Sequence, residues 1–74
     1  MKAGEFVKRV RKLGRDRGIG VRFNEKLGKG SHGTLYYGSR KCTVKDRRKE
    51  IGPGLLRAML DQLGLTREDF DSKD

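Results

Sequence analysis

The one histidine of the chain, His32, stands in Gly28-Lys29-Gly30-Ser31-His32-Gly33, a glycine-spaced run that also carries a lysine and a hydroxyl. Histidine is the only side chain whose ordinary pKa lets it both take and give a proton near neutrality. Glycines let backbone N–H groups, a cation and a hydroxyl approach a phosphate without steric penalty. The run suits proton transfer at a phosphodiester. His32 would be general acid or base, with Lys29, Ser31 and the N–H groups of Gly30 and Gly33 around the phosphate oxygens. The plain alternative is a surface histidine in a glycine turn, which local composition alone leaves open.

An anionic partner is also implied by charge. The 74 residues carry a formal +9, and the excess is one-sided. Residues 1–52 hold 16 Lys/Arg against 5 Asp/Glu, whereas residues 53–74 hold 3 against 5. A surface built only for solubility intersperses both signs, so this imbalance points to a polyanion. A membrane surface competes for such charge, but it wants bulky apolar residues to spare on the same helix. No stretch approaches the roughly 18 apolar residues of a membrane span, and the first residues lack a secretory hydrophobic region. With 32% hydrophobic residues the chain can build one domain, 1–74, around a thin core. A single cysteine excludes an internal disulfide framework and fits a reducing compartment, so a cytoplasmic location is expected.

The elements that must position the glycine run are legible from periodicity. Phe6, Val7, Val10 and Leu13 form one stripe of a helix over about 3–16, with Lys8, Arg9, Arg11, Lys12 and Arg15 on its other face. Its N-cap is poor, and Gly14 and Gly18-Ile19-Gly20 mark its exit. Ile19, Val21 and Phe23 alternate with polar residues as a first strand. Thr34–Tyr37 and Arg40–Lys45 read as a hairpin around Gly38-Ser39. Pro53 opens a last helix whose stripe is Leu55, Leu56, Met59, Leu60 and Leu63. Gly64 suits a left-handed cap, with Leu65 folding back onto Leu60. Thr66 and Asp69 resemble a capping box for a short terminal turn that pins Phe70 to the core. The order αβββα predicts an α+β domain, two helices on one face of a three-stranded antiparallel sheet.

Strand alternation then sorts the side chains. If Ile19, Val21, Phe23, Leu35, Tyr37, Cys42 and Val44 face the helices, then Arg22, Asn24, His32, Thr34, Tyr36, Lys41, Thr43 and Lys45 face outward. That outward set holds cations, hydroxyls, an aromatic ring and the histidine, with no aliphatic residue. A plain solvated face would look similar, but a basic sheet face with a tyrosine for stacking matches how single-stranded RNA is held. Arg22, Tyr36, Lys41 and Lys45 are the expected RNA contacts. Cys42 falls on the inner face as a small hydrophobe. No metal site is expected, since one Cys and one His ten positions apart are too few ligands for zinc.

These residues give the chain a family likeness. It resembles the HicA toxins, the mRNA interferase halves of bacterial HicAB toxin–antitoxin modules. The resemblance is carried by Gly30-Ser31-His32 before the second strand, by Cys42-Thr43-Val44, and by Gly52-Pro53-Gly54-Leu55-Leu56-Arg57-Ala58-Met59-Leu60 with Leu63-Gly64-Leu65-Thr66. It implies a fold like that of double-stranded-RNA-binding domains. It also implies mRNA cleavage that depends on His32, and inhibition by a HicB-type antitoxin. Gly33-Thr34-Leu35 follows the triplet, so a second histidine is absent. The expectation is a metal-independent endoribonuclease without cofactor, using the substrate's own 2′-hydroxyl as nucleophile. The second proton could pass through Tyr37, Tyr36, Lys45 or water. RNA and the antitoxin are the expected partners, with no membrane and no DNA on its own. A non-catalytic RNA-binding module, ribosome-associated or not, and an interaction protein docking an acidic partner are the rival classes.

Overall fold

A computed structural model describes residues 1–25, 33–46 and 48–71. Helix α1 (Ala3–Arg17) is followed by strands β1 (Val21–Glu25), β2 (Gly33–Tyr37) and β3 (Arg40–Val44), then α2 (Pro53–Leu63) and a short α3 (Arg67–Asp71). The strands form one antiparallel sheet in the order β1-β2-β3. Helix α1 packs on β1 and β2 and α2 on β3, so both helices lie on one face, as the αβββα pattern predicts. Phe6, Val10, Leu35, Val44, Leu60 and Leu63 fill the space between the layers and are fully buried.

Both long helices end in the same way. Gly18 and Gly64 adopt left-handed φ of 69° and 75°. Ile19 N–H donates to the Gly14 carbonyl at 2.7 Å, and Leu65 N–H donates to the Leu60 carbonyl at 2.9 Å. These are paired Schellman closures, each with an apolar residue just past the glycine. The second was expected, and the first corrects the sequence reading. Ile19 belongs to the helix cap, and β1 starts two residues later at Val21. Gly14, expected at the exit, is a buried residue inside α1. A Cβ there would overlap Val21 Cγ2 and come within 2.8 Å of the Ile19 carbonyl oxygen. Glycine is thus the residue that lets α1 approach the start of the sheet.

Two further bounds and the exposure of one residue differ from expectation. Strand β3 ends at Val44, so Lys45 lies past it, exposed, at the rim of a groove that also includes Leu55 and Met59. Leu55, expected in the buried stripe of α2, is 53% exposed. It sits about 90° round the helix from the centre of that stripe, at its edge. Strand β2 begins one residue early, at Gly33.

Small contacts tie the ends together. Ala3 N–H donates to the Lys49 carbonyl and Ile51 N–H to the Met1 carbonyl, which couples the starts of α1 and α2. At the other end Arg17 donates to Asp69 at 2.8 Å. Thr66 and Asp69 form the expected reciprocal capping box, with N–H to side-chain oxygen distances of 3.0 and 3.1 Å. Arg17 and the Thr66 N–H and hydroxyl hold the Asp69 carboxyl below its usual range. Phe70 packs on Phe6 with ring centroids 5.4 Å apart.

The close approach at Gly14 predicts an inverted outcome for two Gly→Ala substitutions measured by urea unfolding. Gly14→Ala destabilises by about 1–2 kcal/mol, because overpacking outweighs the helix propensity gained. Gly54, whose Cβ would meet nothing within 4 Å, tolerates Ala and gains roughly 0.4–1 kcal/mol. A second prediction concerns Cys42, which is buried and whose thiol is thereby pushed up from 9.0 to about 11. The folded state holds that proton more tightly than the unfolded one. Stability therefore declines as pH rises from 9.0 toward about 11, and Cys42→Ala removes that part of the decline.

Candidate nucleic-acid face

The open side of the sheet is built by register. Arg22, Tyr36 and Lys41 stand side by side across the three strands, and Asn24, Thr34 and Thr43 form the next outward-facing row. Strands lie about 4.8 Å apart, and residues two apart along a strand are about 6.7 Å apart. The two rows therefore make a polar plate roughly 10 Å across. Arg22, Asn24, Lys41 and Thr43 are exposed, while Thr34 and Tyr36 are half-buried. Alternation places Leu35, Tyr37, Cys42 and Val44 on the helix side, where all four are buried.

Charge and aromaticity meet in the first row. The Arg22 guanidinium carbon lies 5.5 Å from the centroid of the Tyr36 ring. The ring is thus stacked on one side by a cation, and the guanidinium plane itself becomes a stacking surface. Lys41, across the strand from Tyr36, has no ion-pair partner among the described residues. The face offers a π-surface, two cations, two hydroxyls and an amide, the groups that bind a base and its flanking phosphates.

Gly33, Lys45 and Tyr37 lie outside the two rows. Lys29, Gly30, Ser31 and His32 fall outside the described residues. Gly33 begins β2, in register with Glu25 on one side and Val44 on the other. A Cβ on it would come within 2.6 Å of the Phe23 ring, so the ring's position requires glycine here. Lys45 lies past the end of β3 and is not a member of either row. Tyr37 is on the helix side with its ring and hydroxyl buried, which removes it from any proton transfer on the open face. Its oxygen and, more strongly, Asp69 raise the pKa of Arg17.

The cations that the sequence places on the outer face of α1 were assigned no contact of their own. Lys8, Arg11, Lys12 and Arg15 are all exposed there, on the far side of the molecule from the open sheet face. The signal was their i, i+3, i+4, i+7 spacing with no acid between them on the same arc. No helix among the described residues is long and apolar enough to cross a membrane.

The chain matches no family model, no curated protein and no solved structure.

The sidedness of the two tyrosines predicts a chemical difference. Tetranitromethane should nitrate Tyr36 in the folded protein and spare Tyr37, as read by peptide mass mapping. Comparable modification of both would contradict the register that puts Tyr36 outside.

Proposed function

We propose that this protein is a metal-independent endoribonuclease of the HicA kind, an mRNA interferase whose RNA lies on the open face of the sheet. The observation that carries the proposal is the Arg22–Tyr36–Lys41 row, a stacking surface flanked by cations on a face with no aliphatic side chain among the described residues. Its chemistry comes from the sequence. His32 immediately precedes Gly33, the first residue of β2, in a run with Lys29, Gly30 and Ser31.

In the proposed reaction the 2′-oxygen of the RNA forms a bond to the neighbouring phosphorus, and the bond to the 5′-oxygen breaks. His32 takes the 2′-hydroxyl proton or delivers one to the departing oxygen, and water or Tyr36 handles the other. Lys29 and the N–H group of Gly30 would stabilise charge on the phosphate oxygens, whereas Gly33 is engaged in the sheet between β1 and β3. Arg22 and Lys41 would hold the flanking backbone, with Lys45 nearer the rim of the sheet. A chain with nine excess positive charges is readily inhibited by an acidic partner, whose opposite field also speeds association. A HicB-type antitoxin would fit that role, acting in the cytoplasm.

Incubation with single-stranded RNA in chelator tests the proposal. Wild type should cleave, and His32→Ala should lose roughly 10²-fold or more of the rate while keeping its fold. Lys41→Glu should weaken RNA binding more than Arg67→Glu, which lies on α3. RNA bound but left intact by wild type would identify a non-catalytic binding module. An alanine variant that cleaves within a few-fold of wild type would remove His32 from the mechanism.

A further inference from the structure

Lys8, Arg11, Lys12 and Arg15 fall within an arc of about 100° on α1, set roughly 130° round the helix from its buried residues. They rise about 10 Å along the axis. All four are exposed, and none has an ion-pair partner among the described residues. Arg9 differs, because it pairs with Glu5 at 3.6 Å and lies over the Phe70 ring at 5.4 Å. Each of the four stands three or four residues from two of the others, so the stripe holds four like-charge contacts that destabilise a helix. Glu5 and Asp16 sit beside the stripe and outside it. No contact among the described residues uses these charges.

We infer that the stripe is a second, sequence-blind binding surface for the phosphodiester backbone of RNA, engaged when one strand is long enough to reach both it and the open sheet face. The occupant follows from what the stripe lacks. The buried face of α1 takes its apolar residues, leaving among the described residues no exposed aliphatic or aromatic anchor beside the cations for a protein partner to hold or a bilayer to take up. Cations alone bind a polyanion, by releasing its counterions. Without a ring to stack on, the stripe contacts phosphates and leaves the bases unread. Because the sheet face lies on the opposite side of the helix layer, occupancy of both by one strand converts the second contact into an intramolecular one. This inference rests on the proposal that the sheet face binds RNA.

The test compares uridine oligonucleotides of about six and about thirty nucleotides, one shorter and one much longer than a single binding face holds. Binding is followed by fluorescence anisotropy across salt concentrations. The variant carries Lys8→Gln, Arg11→Gln, Lys12→Gln and Arg15→Gln, exchanges that keep helix propensity and relieve the repulsion. It should melt at or above the wild-type temperature. A control removes equal charge from Arg48, Lys49, Arg57 and Arg67.

The expected result is a loss of roughly ten-fold or more in affinity for the long strand, with a salt dependence shallower by about 2–3 log units per decade. The variant should bind the short strand within about two-fold of wild type, and the control should bind both much as wild type does. Long-strand affinity unchanged in the variant overturns the inference and leaves the sheet-face proposal standing. So does an equal loss in the control, which would make the effect one of net charge. Loss confined to vesicles rich in phosphatidylserine, with RNA binding intact, assigns the stripe to lipid and also overturns it. If wild type binds neither strand, both the sheet-face proposal and this inference fall.

Discussion

Apolar side chains are scarce in this chain, and most of the structure follows from how they are spent. With 32% hydrophobic residues in 74, there is enough apolar surface to join one layer of helices to one face of a sheet, and no more. Phe6 and Val10 from α1, Leu35 and Val44 from the sheet, and Leu60 and Leu63 from α2 make that single interface. The opposite face of the sheet must then be built from residues at home in water. Strand periodicity of two leaves no freedom in which residues those are. Once Leu35 and Tyr37 point in, Thr34 and Tyr36 point out, and the register brings Arg22 and Lys41 beside Tyr36.

One-sided burial also explains the close-packed glycines. A thin core gains from every ångström by which the layers approach. Gly14 lets α1 settle against Val21 and the Ile19 backbone, and Gly33 gives the Phe23 ring its place at the far end of the sheet. The helix ends are closed by backbone bonds across Gly18 and Gly64, which need no further apolar material beyond Ile19 and Leu65. Charge remains the abundant resource. The cations on the sheet face and along α1 lie outside the core and are placed by the same alternation and helical period that place the apolar residues.

Legibility in the sequence tracked the strength of those periods. The last helix was read from Pro53 through Gly64 to the Leu65 closure and the Thr66–Asp69 box, because each signal is local and stereochemical. Arg22, Asn24, Thr34, Tyr36, Lys41 and Thr43 followed from alternation alone, whereas Lys45, expected with them, lies past the end of β3. Misreadings occurred where one residue serves two patterns. Ile19 continues the strand alternation toward the N-terminus, yet the glycine before it turns it into a helix cap. Leu55 has the composition of the buried stripe but sits at its edge. Gly14 looked like a helix stop because the need for it comes from Val21, seven residues away, which no local pattern shows. The half of the candidate site formed by Arg22, Tyr36 and Lys41 came from periodicity. The covering of the Tyr36 ring by Arg22 depends on cross-strand side-chain geometry and is seen only in three dimensions.

The central claim is that the face left polar by one-sided burial is where RNA binds. Amide and side-chain chemical-shift mapping during titration with a short single-stranded oligonucleotide tests it most directly. The account predicts perturbations concentrated on Arg22, Thr34, Tyr36, Lys41 and Thr43, with α2 and α3 little changed. Perturbations confined to α2, α3 or the groove beside Leu55, with the Arg22–Tyr36–Lys41 row unmoved, would contradict it.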